Sequence, residues 1–178
     1  MVYIIGVNHQ VQHNRSLPQT SEFLAFLEDF IKDKEIALIA EEWSDDASDT
    51  SAVATSTVED FASINGIDYL ACDPTFAERK VLGIRSSEDI RQELIKLAKQ
   101  GPYTKEKSKE YQKKLITEDH HKRERFWLEQ IQNYTDEDII FICGTEHIGK
   151  FTSLREYGFD LLLRDEKIPV EVLTERFD

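Results

Sequence analysis

The chain has 178 residues, 40% of them hydrophobic and 32% charged, which suits one soluble domain with a real core. Its formal charge of −13 argues against generic nucleic-acid binding, where lysine and arginine must neutralise phosphates, and against docking on an anionic membrane. The two cysteines, Cys72 and Cys143, make neither a disulfide framework nor a zinc spacing and read as buried thiols at the ends of apolar runs.

The first element, residues 2–7, is a short apolar run that stops as G-V-N-H, Gly6 to His9. It is too short for a secretory signal and lacks a basic flank, and no apolar stretch reaches membrane-spanning length, so the expectation is a cytoplasmic protein. Residues 9–13 read as loop, with His13 as a surface histidine. A helix is predicted over 21–31, where Phe23, Leu24, Leu27, Phe30 and Ile31 form one stripe. Residues 36–40 form the second predicted strand and end at Glu41-Glu42. Successive strand residues point to opposite faces, so only one of these acids should enter a shared site, and spacing does not say which. The polar stretch 44–57 reads as a mobile loop long enough to act as a lid.

A weaker helix over 57–64 precedes the turn Asn65-Gly66, and a third strand over 69–72 runs into Asp73-Pro74, either a further acid on the rim or a plain turn. Helices follow over 87–99 and 104–133, the latter one long helix or two in series. Arg123, Trp127 and Ile131 are four apart on one face of it, so burial of Trp127 would draw Arg123 inward, where it can hold a carboxylate or stabilise an oxyanion. Arg125 and the pair His120, His121 read as solvated. The fourth strand, 139–143, ends in C-G-T-E-H, so Gly144 and His147 repeat the Gly-x-x-His phrase of the first. Glu146 is read as complementing a helix N-terminus, with a helix over 147–157. Residues 170–173 make a last strand, and 161–163 suggest a short extra one.

Continuous apolar strands alternating with helices imply an α/β fold, a mostly parallel central sheet flanked by helices, in a single domain over 1–178. In such sheets ligands sit beyond the carboxyl ends of the strands. His9, Glu41 or Glu42, Arg123 and His147 are therefore the candidate catalytic residues on one rim. The glycines would let the chain turn there and let backbone approach a ligand. Neutral imidazole with carboxylate suits a divalent transition metal, which would acidify bound water and polarise a carbonyl or phosphoryl group.

Four pieces in this order, G-V-N-H, Glu41-Glu42, R-E-R-F-W-L-E-Q-I (Arg123 to Ile131) and C-G-T-E-H, resemble the TraB/Tiki group within the wider EreA/ChaN-like superfamily. That pattern is two Gly-x-x-His motifs with a glutamate and an arginine between them. Glu124 stands where many members have Asp or Asn, and Trp127 where many have Met. The resemblance implies an EreA/ChaN-like fold. Tiki-like members are peptidases dependent on Mn or Co, EreA-like members hydrolyse a macrolide ester, and ChaN-like members bind haem. Carried over by motif, His9 and His147 would be ligands or acid–base groups, Glu41 or Glu42 the acidic ligand or base, and Arg123 the group that stabilises charge on substrate. The expected metal set is His9, Glu42 and His147. The expected function is metal-dependent hydrolysis of a small amide, ester or peptide-like substrate. The alternatives are a non-catalytic binder of haem or another ligand at that rim, or a regulatory interaction protein with a decayed site.

Overall fold

A computed structural model describes residues 1–44, 46, 55–101, 104–149 and 157–177. In it five strands form one wholly parallel sheet: β1 (Val2–Val7), β2 (Ile36–Glu41), β3 (Asp68–Ala71), β4 (Asp138–Gly144) and β5 (Val170–Phe177). Their order is β3-β2-β4-β1-β5. The central strands were legible because they are buried on both faces: every residue of β1 is buried, and all but the first of β4.

Alternate residues serve two cores. Tyr3, Ile5, Val7, Ile39, Ile140 and Ile142 pack with Phe23 and Leu27 of α2 (Pro18–Ile31) and with Phe61 of α3 (Thr57–Asn65). On the other face, Val2, Ile4, Leu38, Ala40, Ile139 and Phe141 meet Trp127, Ile131, Phe159 and Leu163. The first two of these lie on the long helix α6 (Lys105–Ile131) and the last two on α7 (Phe159–Asp165).

Right-handed crossovers explain this division. The chain moves one way along the sheet from β1 to β2 to β3, placing α2 and α3 on one face. It then reverses, from β3 to β4 and from β4 to β5, so α6 and α7 lie on the other. Consequently β4 sits between β1 and β2 but sends its loop to the opposite face from theirs. Adjacent strands whose loops part in this way leave a crevice at their carboxyl ends, where α/β sheets place ligands.

Several expectations change locally. Residues 161–163 belong to helix α7, because Phe159 and Leu163, four apart, both reach the core. Residues 9–13 form a short helix, α1 (His9–His13), since the Asn8 side chain accepts from the Gln10 N–H and caps it. His13 therefore lies one turn after His9, and its ring packs at 4.6 Å from that of Trp43. An unforeseen helix α4 (Phe76–Leu82) starts at a capping box between Thr75 and Glu78. Residues 87–99 are helix α5 (Ser87–Lys99), as expected. Residues 104–133 form one helix and a 3-10 turn, Gln132–Tyr134. The expected helix at 147–157 falls mostly outside the described residues, and His147 ends a 3-10 turn, Thr145–His147. Most of the expected loop 44–57 also lies outside them, and its last residue, Thr57, begins α3. No described helix is long and apolar enough to cross a membrane.

Candidate functional site

The two Gly-x-x-His phrases meet at the ends of β1 and β4, where Gly6 pairs with Cys143 and Val7 with Gly144. Neither glycine has positive φ, so a left-handed turn does not explain them. Space does. A Cβ on Gly6 would stand 2.6 Å from Ile148 Cδ1 and 3.1 Å from Thr145 Cγ2. A Cβ on Gly144 would stand 2.8 Å from both His9 Nε2 and Glu146 Oε2. Gly6 thus makes room for the segment after β4, and Gly144 for His9 after β1 as well as for Glu146 of its own segment.

Glu41 and Glu42 diverge as strand neighbours must. Glu42 turns to the crevice. Its Oε2 accepts from Gly144 N–H at 2.7 Å, and its Oε1 accepts from Arg123 Nη2. The same Oε1 lies 3.4 Å from His147 Nε2 and 3.8 Å from His9 Nε2. Glu41 instead points to the α1/α3 face. Its Oε1 accepts from Gln12 Nε2 at 2.8 Å, and its Oε2 from the hydroxyls of Ser56 at 2.6 Å and Tyr69 at 2.7 Å. Glu41 is thus outside the crevice, one residue behind it.

Arg123 is drawn inward as its helix position required: Trp127 and Ile131 are fully buried, and the Arg123 side chain is only 17% exposed. Its Nε donates to Asp73 Oδ1 at 2.8 Å, and its Nη1 lies 3.4 Å from His147 Nε2. Asp73 is more than a turn residue. It also accepts from Trp127 Nε1 at 3.1 Å and from Arg79 Nη2, and is itself buried. Arg125, two residues on, is exposed and pairs with Glu166 at 3.0 Å.

The histidines differ in access. His147 is fully buried, with Nδ1 at 3.0 Å from Glu124 Oε1 and with the rings of His120 and Trp127 at 4.2 Å and 4.6 Å. The His9 side chain is 42% exposed; its Nδ1 lies 2.7 Å from Gln12 Oε1 and its Nε2 3.9 Å from Glu146 Oε1. Both imidazoles therefore present Nε2 to the crevice and tie Nδ1 behind it. Glu146 takes part as a partner of His9 in addition to lying in the first turn after β4. His120 is half-buried against His147 and His121 lies edge-on to Tyr157, so neither is fully solvated.

Charge compensation sets the proton affinities. The Glu146 carboxylate, then Glu42 and Gln12, raise His9 to about 9 against the opposing effect of burial, and His9 in turn holds Glu146 down at about 2. Burial alone would lower His147, but Glu42 and Glu124 outweigh it and raise it to about 9. Burial would raise Glu42, yet Arg123 and both histidines hold it far below the ordinary carboxylate range. Burial raises Glu41 to about 7 despite its three hydrogen bonds. Burial and the neighbouring His147 and Arg123 charges lower His120 to about 4. The thiol of Cys72 is pushed by burial to about 12 and that of Cys143 well above its ordinary value, consistent with inert core cysteines.

The chemistry of the donor set tests the expected metal. Tying Nδ1 and presenting Nε2 is how metal-binding histidines are commonly held. Against this, Arg123 and Gly144 N–H already engage both oxygens of Glu42. Arg123 Nη1 also stands beside His147 Nε2. No group of three or more His, Cys, Asp or Glu among the described residues is arranged to hold a metal ion. In this arrangement the guanidinium supplies the positive charge that the Glu42 carboxylate demands. The surrounding of His9 by Glu42, Glu146 and Gln12 does not suit the apolar face of haem.

Comparison with protein-family models, with curated proteins and with solved structures gives no match.

Sequence reasoning missed Gln12, Glu124 and the role of Asp73. Glu124 follows the arginine already singled out, and Gln12 stands three residues after His9, a helical spacing that reading the segment as loop concealed.

Proposed function

We propose that the chain is a hydrolase of a small amide, ester or peptide-like substrate, working at the carboxyl ends of β1, β2 and β4. The observation that carries this reading is the convergence of His9, Glu42, Arg123 and His147 in the crevice where the loops of β1 and β4 part. The motif resemblance to the TraB/Tiki group points the same way.

In this reading His9, the more accessible imidazole, is the acid–base group. Its neutral Nε2 takes a proton as water adds to the carbonyl carbon. It returns that proton to the leaving nitrogen or oxygen as the C–N or C–O bond breaks. Arg123 faces the oxygen on which negative charge develops. Glu42, kept ionised, is not the base; it anchors Arg123 and both imidazoles. Glu146 and Glu42 keep His9 largely protonated at neutral pH, so kcat/KM should climb as pH rises toward 9, where the basic form accumulates.

The test is turnover of chromogenic esters, aminoacyl anilides and a macrolide lactone, each with chelator and with added Mn or Co. Turnover in wild type that survives chelator and is lost in His9→Ala supports the reading. Turnover that His9→Ala leaves intact overturns it, as does none on any substrate under any condition. Turnover that needs added metal would restore a metal centre in which Arg123 withdraws from Glu42. The complete burial of His147 favours one second reading, a rim that binds an anionic ligand through His9 and Arg123 without turnover. Saturable binding without hydrolysis would be its signature.

A further inference from the structure

Behind His9 stands a buried chain of groups with a definite hydrogen-bond polarity. Glu41 and Gln12 are both fully buried. Oε2 of Glu41 is committed to two hydroxyl donors, Ser56 and Tyr69. Ser56 Oγ also accepts from Glu59 N–H at 2.9 Å, so its own proton is free to go to Glu41. At the alkaline pH where the neutral imidazole is observed, Glu41 is ionised and only accepts, so its Oε1 side must face the NH2 of Gln12, at 2.8 Å. This turns the Gln12 carbonyl toward His9 Nδ1, at 2.7 Å. A carbonyl oxygen also only accepts, so Nδ1 must carry a proton. The neutral imidazole is then left with its lone pair on Nε2, which faces Glu42 and Glu146.

We propose that Gln12 and Glu41 are positioning residues that fix His9 as its Nδ1–H tautomer, presenting a basic Nε2 to the crevice. This rests on the reading of His9 as the acid–base group only for its catalytic meaning, since the tautomer can be observed without turnover. It also accounts for both acids at the end of β2: Glu42 acts in the crevice, and Glu41 sets the polarity of the relay behind it.

The relay makes an unusual demand of Glu41→Gln, which is nearly isosteric. The two hydroxyls select the amide oxygen of the new side chain at the Oε2 position, which places its NH2 at the Oε1 position. That NH2 donates to the Gln12 carbonyl and reverses the Gln12 amide. The Gln12 NH2 then faces Nδ1, which must accept, and His9 becomes the Nε2–H tautomer. Gln12→Leu removes the carbonyl altogether and frees the ring to take the Nε2–H form, with Nε2 hydrogen-bonded to Glu42 or Glu146.

The experiment is nitrogen NMR of 15N-histidine-labelled, full-length protein, with the His9 signals assigned through His9→Gln. Spectra are taken with chelator at about pH 10, so that the neutral imidazole is observed. The expected result is an unprotonated Nε2 signal in wild type and its shift to the protonated range in both variants. An Nε2–H tautomer in wild type overturns the proposal, as does Nδ1–H retained in either variant. If Glu41→Gln fails to fold, wild type and Gln12→Leu decide it alone. A wild-type Nδ1–H tautomer in a protein without turnover would leave the positioning intact and defeat only the hydrolase reading. Under that reading Glu41→Gln also lowers kcat rather than raising KM, because the base is mis-presented while the binding groups stay in place.

Discussion

Arg123 and Arg125 lie two residues apart on one helix, yet their replacement by methionine should have opposite consequences. Arg123→Met removes the cation shared by Glu42 and Asp73, whose side chains are only 2% and 4% exposed. Breaking a buried pair from one side costs about 3–5 kcal/mol, because the surviving charge stays out of water. Here each acid keeps other partners: Glu42 retains Gly144 N–H and His147, and Asp73 retains Arg79 and Trp127 Nε1. The expected loss is therefore at the low end, about 3 kcal/mol, or a fall in Tm of roughly 6–12 °C for a chain of this size. Arg125→Met removes an exposed pair with Glu166, the two side chains being 60% and 44% exposed, and should cost less than about 1 kcal/mol. Urea unfolding of the three proteins at pH 7 measures both. The gap between wild type and Arg123→Met should also narrow in acid. Arg123 holds Glu42 below its ordinary 4.5, so its contribution is present above that pH and is lost as pH falls through the depressed value. Equal losses for the two variants, or a gap that does not depend on pH, would refute the buried-network account.

The two motif glycines should separate stability from chemistry. Gly6→Ala drives a Cβ into Ile148, which is fully buried, and should cost about 1–3 kcal/mol by urea unfolding. Gly144→Ala instead meets the tips of His9 and Glu146, both partly exposed. It should cost less stability than Gly6→Ala, because side-chain tips rather than the buried core must give way, while hydrolysis falls sharply because His9 Nε2 is displaced. The opposite ranking would mean that the site residues are more rigid than their exposure implies. His147 gives the third expectation. Its rise from 6.5 to about 9 sets an upper bound on the order of 3 kcal/mol of pH-linked stability. That stability is present in full below pH 6.5 and disappears as pH climbs through 9. Urea midpoints from pH 6 to 10 should fall more steeply for wild type than for His147→Gln, and parallel curves would contradict a protonated His147.

Residues close in sequence were read well where one physical rule decided them. The helix at 87–99 is bounded as expected, because Ser86 caps it and Asp89 completes the box. The inward pull on Arg123 followed from the burial of Trp127 and Ile131 on its face. The errors arose where a short side-chain bond outweighed composition. Asn8 starts a helix in a stretch otherwise read as loop, and that one turn brings Gln12 under His9. Similarly, Asp73-Pro74 looks like any turn until Arg123, Arg79 and Trp127 arrive from two other helices.

By itself the sequence determined the layered α/β class and the buried central strands, since unbroken apolar runs cannot remain in water and need cover on both faces. It also determined that His9, an acid after β2, Arg123 and His147 belong near one rim, because parallel strands put all their carboxyl ends on the same side. Only the tertiary structure decided that β4 lies between β1 and β2, which depends on the direction of each crossover and has no local signature. It alone chose Glu42 for the crevice and Glu41 for the relay behind it, because the strand's rotation is fixed by what packs on each face. It also showed what the paired glycines do: Gly6 makes room for Thr145 and Ile148, and Gly144 for His9, contacts between distant parts of the chain that no local pattern can record.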